Sequence, residues 1–261
     1  MQLSNYLKEM SWLTFVERKK QTDLVIIPTG AMEPYGHHLP MGADTLVASK
    51  LAERVAERVH AMIGPVVEAG DSSMLDEFPG TITITPESLK AYLNDVMNSL
   101  LKWGFKDFLF INGHAGNVAV INQIAYTLRE RTDIRKAQID IWRFMKTVDQ
   151  DVLESGELAH SHAGEAGTSV MLALYPELVN IDLTRKVVRK SPDAFPEIMK
   201  YGKLSDNSEW GTMGNSTLAS AEKGTILVNR SVDRMVQFLN ESWNIPRVQP
   251  PVNESSKERN Q

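Results

Sequence analysis

The chain of 261 residues contains no cysteine. That absence removes disulfides, Cys-ligated zinc and a thiol nucleophile together, and it suits a reducing compartment. Positive charge is scarce too. Lys and Arg number 28 against 33 Asp and Glu, giving a net charge of −5 with no basic stripe. A nucleic-acid partner is therefore not expected, and an acidic ligand would need a local cation. No apolar run approaches the roughly 20 residues that span a bilayer. The start, Met1-Gln2-Leu3-Ser4, lacks a basic stretch leading into an apolar core. We expect no membrane partner and a cytoplasmic location. Several chemical motifs are missing as well: Gly-x-Ser-x-Gly, a P-loop Gly-Lys-Ser/Thr, Gly-x-Gly-x-x-Gly after a strand, and His-Glu-x-x-His. A nucleotide cofactor has no support.

What is present reads as a soluble globular chain, 42% hydrophobic and 23% charged. Its length fits one large α/β domain or two small ones. Ser4 to about Lys20 has helical periodicity, with Tyr6, Met10, Leu13 and Val16 as the inward positions. Leu24-Val25-Ile26-Ile27 is wholly apolar, as in a strand covered on both faces. A helix capped by Asp44 or Thr45 follows, to about Met62. Pro65-Val66-Val67 and Thr81-Ile82-Thr83-Ile84 read as strands. Thr85 and Pro86 open a helix that Gly104 closes. Asp107 to Ile111 is another apolar strand. A helix is expected from Val118 to Arg131, a strand from Lys136 to Trp142, a helix through Thr168–Leu174 and a last one from Ser231 to Trp243. Residues 180–220 show no pattern. The alternation predicts a single-domain α/β fold, a mostly parallel sheet with helices on both faces, over residues 1–245. Residues 246–261 read as a flexible tail.

Five of the six histidines fall in three polar clusters at strand ends or helix starts. The first runs from Glu33 through His37 and His38 to Asp44. Its plain reading is a polar loop with Asp44 as a helix cap; its chemical reading makes Glu33 and Asp44 hard oxygen ligands. The second is Asn112-Gly113-His114-Ala115-Gly116-Asn117. An incidental His in a tight turn is the alternative there. The third is His160-Ser161-His162-Ala163-Gly164-Glu165, which puts an imidazole beside helix N-terminal amides, where a further positive charge is disfavoured. A surface His pair is its plain reading. His60, among charged neighbours at a helix end, is read as structural. Ligands in such sheets bind beyond the carboxyl ends of the strands, which would bring the clusters together.

Taken together, the clusters resemble the creatininase (creatinine amidohydrolase) family. Its signatures Gly-x-x-Glu-x-His-Gly-x-His-Leu-Pro-x-x-x-Asp, Asn-Gly-His-x-x-Asn and His-x-Gly-x-x-Glu-Thr-Ser correspond to Gly30–Asp44, Asn112–Asn117 and His162–Ser169. Phe78–Thr81 and Leu218–Gly224 also look like family segments. The resemblance implies a single α/β domain, assembly into homo-oligomers up to hexamers, and metal-dependent hydrolysis. It implies a first metal held by Glu33, Asp44 and His114, with His162 as the catalytic histidine. Three departures stand out. Tyr35, Gly116 and Gly167 occupy the positions of the family's second-metal His and its two alternative Glu residues. We therefore expect one divalent ion per chain, with zinc the first choice and manganese or iron the alternatives. A second site rebuilt from His37, His160 or Glu165 is the competing arrangement. His162, Tyr35 and Glu165 are the catalytic candidates, with Tyr35 as a donor to a developing oxyanion. The expected substrate is a small polar cyclic molecule, either a cyclic amide or a keto-inositol ring opened between carbonyls. The alternative is a degenerate relative that only binds a small ligand.

Overall fold

The structure, a computed structural model, describes residues 4–188, 194–195, 197–198 and 200–248. Its helices are α1 (Trp12–Lys19), α2 (Ala43–Ala56), α3 (Pro86–Lys102), α4 (Val118–Thr127), α5 (Ile141–Met145), α6 (Glu165–Leu174) and α7 (Ala221–Trp243). Its strands are β1 (Leu24–Thr29), β2 (Met62–Ile63), β3 (Asp107–Asn112), β4 (Arg135–Asp140), β5 (Lys186–Val187) and β6 (Gly214–Asn215). The first four form one parallel sheet in the order β2-β1-β3-β4, and β5 and β6 form a small antiparallel ribbon.

Every residue of β1 and β3 is buried, which explains their unbroken apolar runs. Alternate side chains enter two cores. Leu24, Ile26, Leu109 and Ile111 meet α2, α6 and α7 on one face. Val25, Ile27, Phe108 and Phe110 meet α3 and α4 on the other. The expected mostly parallel α/β fold, with helices on both faces, is what forms. The chain leaves β1 toward α2 on the first face and leaves β3 toward α4 on the second. The two connections diverge, so a crevice opens between the carboxyl ends of β1 and β3. Register aligns Thr29, Asn112 and Asp140 along that edge.

Several local expectations fail, each for an identifiable reason. The N-terminal segment is not one helix from Ser4. A 3-10 turn covers Leu7–Glu9, and Ser11 then caps α1 by accepting from the Thr14 amide at 3.1 Å. Leu13 and Val16 consequently face solvent, 61% and 42% exposed, while Phe15 packs on Trp103 and Phe105. Pro65 has no amide to donate, and the strand expected there forms earlier, at Met62–Ile63; Val67 only bridges Thr29. Thr81–Ile84 is not a strand. Its threonine hydroxyls bind nearby backbone, and only Ile82 bridges, to Met32. Helix α4 ends at Thr127, short of Arg131, and α7 begins ten residues before Ser231, where Ser220 caps it. Beyond Trp243, Arg247 bridges Val59 and the Val248 amide bonds Arg58, so the first residues expected in the tail are tied down. Residues 249–261 lie outside the described part.

Two departures shape the crevice. Helix α2 is capped by Gly42, not by Asp44 or Thr45, so Asp44 sits in the first turn with its carboxylate free to point inward. Strand β4 stops at Asp140, and the chain turns into α5, which takes Trp142 out of the sheet.

Candidate metal centre

Three elements converge on the crevice. The loop after β1 brings Glu33, the first turn of α2 brings Asp44, and the turn after β3 brings His114. All three are buried. One oxygen of each carboxylate and one His114 nitrogen lie within 4.8 Å of one another. His114 Nδ1 is 3.1 Å from Asp44 Oδ2 and 3.3 Å from Glu33 Oε1. Close backbone approach makes this possible, because any side chain at Gly113 would meet the Asp44 carbonyl at 2.3 Å.

The tautomer of His114 is decided by its other nitrogen. Nε2 lies 2.7 Å from the Asp71 carbonyl, a pure acceptor, so Nε2 carries the proton and donates. Neutral His114 thus aims the Nδ1 lone pair at two carboxylates. Three electron-rich atoms facing one another in a buried site require a cation between them. Protonation meets that need in part. Burial works against charge on His114, yet its bonds to Asp44 and Glu33 hold its pKa well above the usual imidazole value. Burial pushes Asp44 up, outweighing the His114 contacts. Glu33 resists the same burial because His114 and His162 hold it down. A divalent ion answers the need more fully, and the donor set suits zinc, manganese or iron. Glu33 Oε2, buried and without a hydrogen-bond partner, marks the same unmet demand.

The second oxygen of Asp44 is already taken. Oδ1 accepts the Tyr35 hydroxyl and, at 3.2 Å, the Trp142 indole N–H, which also reaches the Gly113 carbonyl at 2.6 Å. Tyr35 is 4% exposed, and burial with the adjacent Asp44 drives its pKa well above the ordinary phenol value. The hydroxyl keeps its proton and donates it to Asp44. This contact holds the hydroxyl that the sequence reading offered to a developing oxyanion.

His162 stands beside the cluster. Its Nε2 donates to the Pro34 carbonyl at 2.7 Å, so Nδ1 is the free base atom, 3.9 Å from Glu33 Oε1. Its ring packs on Tyr35 with centroids 4.3 Å apart. The next residue, Ala163, has φ +52°, a strained value for a residue with a side chain. The Thr212 hydroxyl holds that turn by donating to both the His162 and Ala163 carbonyls.

The remaining candidates are elsewhere. Glu165 is fully buried, with both oxygens occupied by the Glu154 and Ser155 amides, the Ser155 hydroxyl and Lys223. It does not line the cleft, so its expected catalytic role is corrected to holding the head of α6. His37 is exposed against Trp210. His160 lines the cleft but gives Nε2 to Asp149 at 2.6 Å. Among the described residues, Glu33, Asp44 and His114 form the one group that could hold a metal. The cleft beside it measures about 540 Å³, with Trp142, Arg143, Leu75, Met74 and Leu204 among its walls. Sequence reasoning missed Trp142 and the Asp71 carbonyl. A buried indole N–H needs an acceptor, which was a usable signal. A backbone carbonyl leaves none.

The sequence model of the creatininase family (creatinine amidohydrolase) matches residues 8–239. The chain belongs to the creatininase family. Creatinine amidohydrolase of Pseudomonas putida is 30% identical over 93% of this chain and 99% of its own length. The mycofactocin precursor peptide peptidase of Mycolicibacterium smegmatis is 31% identical over 82% of this chain and 85% of its own. The 3-dehydro-scyllo-inosose hydrolase of Thermotoga maritima is 29% identical, with 90% and 81% covered. A manganese form of creatininase superimposes with a TM-score of 0.81 at 27% identity, covering 92% of this chain and 98% of that one. A zinc–zinc mutant creatininase gives the same four values. These relatives support a metal-dependent hydrolase that uses a divalent ion.

Proposed function

We propose that this creatininase-family hydrolase holds a single divalent ion between Glu33, Asp44 and His114 and cleaves a carbon–nitrogen amide bond in a small substrate. The observation that carries the proposal is His114. Its Nε2 proton is fixed on the Asp71 carbonyl, and its Nδ1 lone pair is aimed with two carboxylates at one point. Bound there, the ion supplies Lewis acidity toward a carbonyl oxygen and lowers the pKa of water. This chain's residues do the rest. His162 Nδ1, left basic by the Pro34 contact, takes a proton from water as the oxygen–carbon bond forms. It then returns that proton to the leaving nitrogen as the carbon–nitrogen bond breaks. Glu33, 3.9 Å away, steadies the imidazolium in between. Tyr35 and Trp142 fix the angle at which Asp44 presents Oδ2.

Three positions support a single ion. The Tyr35 hydroxyl covers Asp44 Oδ1. A side chain at Gly116 would lie 2.1 Å from the Asp71 carbonyl that holds His114. Gly167 offers no ligand. An amide is favoured over a hydroxylated ring because the walls of the cleft include Met74, Leu75, Leu204, Ala163 and Ala166, which cannot satisfy many hydroxyls. Metal analysis of protein purified without chelators, followed by a hydrolysis screen of lactams, small amides and cyclic ketones, tests this reading. One ion per chain and amide turnover that His114→Ala abolishes are expected. No ion on titration, or full activity in His114→Ala, would sink it.

A further inference from the structure

Helix α5 does more than remove Trp142 from the sheet. Had β4 continued, Trp142 and Arg143 would point to opposite faces. The turn at Asp140 lets both line the cleft instead. Among the described residues, Arg143 is the one lysine or arginine lining it. Its guanidinium makes no ion pair and no hydrogen bond among the described residues. Among the described residues, Arg58 pairs with Asp233, Arg131 with Asp133 and Arg135 with Asp107, whereas Arg54, Arg230 and Arg234 bond only neutral groups. The acidic neighbour of Arg143 in the cleft is Asp140, whose carboxyl burial pushes above the usual range despite Arg143. It forms no ion pair with Arg143. Trp142, next in sequence, donates to Asp44 itself, so this corner of the cleft adjoins the metal-ligand cluster. The apolar Met74, Leu75 and Leu204 also line the cleft.

We propose that Arg143 is a specificity-determining residue that binds a carboxylate of the substrate, so that the enzyme acts on small amides carrying a free carboxylate and an apolar side group. The proposal rests on the amide-hydrolase reading above and narrows its substrate class. The guanidinium fork matches a carboxylate through two parallel N–H bonds. The apolar wall takes the side group, and the scissile carbonyl is left toward Glu33, Asp44 and His114. A neutral or cationic substrate would leave Arg143 without a partner in the occupied cleft.

The test uses metal-loaded full-length protein and two probes, N-acetyl-phenylalanine and its carboxamide, which differ only in the terminal charge. Calorimetric binding should favour the carboxylate by tenfold or more in the parent protein. Arg143→Gln should bring the two affinities together, and Arg143→Lys should keep part of the difference. For any substrate turned over, Arg143→Gln should raise KM by tenfold or more with kcat little changed. Equal binding of the two probes, failure of both to bind, or a preference that survives Arg143→Gln would overturn the proposal; the last would mean the carboxylate is read by the metal. Metal stoichiometry, titrated in parallel, should be unaltered in Arg143→Gln. If the parent protein binds no metal, the amide-hydrolase reading has failed, whereas the probe comparison reports separately on Arg143.

Discussion

Two charge clusters among the described residues differ in kind: one is closed by protein partners and the other is open. At the head of α6, Glu165 spends both oxygens on two amides, a hydroxyl and Lys223, while Lys223 also holds Glu154 and the Leu218 carbonyl. Every charge there has a protein partner. In the crevice, Glu33 keeps an oxygen with no partner, and two carboxylates converge on His114 Nδ1. The protein does not complete that cluster. A closed cluster secures the fold, whereas an open one built from buried groups expects something from outside. Both contain a Glu from a histidine motif, so residue type alone does not separate them.

The largest expected effect comes from opening the crevice cluster further. His114→Ala should lose the metal, and activity should fall to background, while the circular dichroism spectrum is retained. His162→Ala is the next step down. Its activity should drop by about 10²–10⁴, roughly 3–5 kcal/mol of barrier, with metal content unchanged. A loss of metal in His162→Ala would mean that His162 is a ligand and that the two clusters divide differently. Glu165→Gln should do the reverse of both. Breaking the closed cluster should cost about 2–3 kcal/mol in denaturant unfolding and leave one ion per chain. If Glu165→Gln instead abolished turnover at unchanged stability, the contrast drawn here would be wrong.

The same contrast shows what was legible in the sequence. The strands β1 and β3, the cap of α3 at Thr85, and the three polar clusters are all written in short-range chemistry: apolar runs, a proline at the first helical position, histidines beside glycine. The metal trio also requires the diverging connections after β1 and β3; the alternation of strands and helices implied only that ligands bind beyond the strand ends, and the trio itself came from the family resemblance. What the sequence hid is long-range hydrogen bonding. Nothing near Glu165 announces Lys223, 58 residues away. Trp142 looked like the end of a strand, because the Asp44 carboxylate and Gly113 carbonyl that draw its indole inward lie far from it in the chain. Leu13 and Val16 were misplaced because the side-chain cap at Ser11 delays α1 and so resets which face turns inward.

His38 is a buried polar group of a third kind, with Nδ1 left without a partner and the neutral ring favoured by burial. Burial lowers its pKa from 6.5 to about 4, and its Nε2 meets the Thr168 hydroxyl at 2.9 Å. The unfolded chain then takes up this proton at higher pH than the folded one. Stability from neutral His38 is full above pH about 6.5 and is lost as pH falls toward 4, by up to roughly 3 kcal/mol. Urea unfolding of metal-free protein should show that loss, and His38→Asn should flatten the profile over this window. An unchanged slope in His38→Asn would place the acid sensitivity in the carboxylates instead.

The smallest effect tests the seam between closed and open. Asp44 belongs to both conditions: Oδ1 is closed by Tyr35 and Trp142, and Oδ2 is open toward His114. Tyr35→Phe removes one donor and leaves the Trp142 bond in place, so it should cost only about 1 kcal/mol of stability. Metal content should stay at one ion, since no ligand is gained. Tyr35→His should also stay at one, because the turn at Gly116 is filled by the Asp71 carbonyl and Gly167 has no ligand atom. Room for a side chain does exist at Gly167, where an added Cβ would meet only the Trp142 ring at 3.8 Å. Tyr35→His combined with Gly167→Glu should therefore raise the stoichiometry toward two. A second ion in Tyr35→Phe alone would show that the hydroxyl, and not the lack of ligands, is what keeps the site mononuclear.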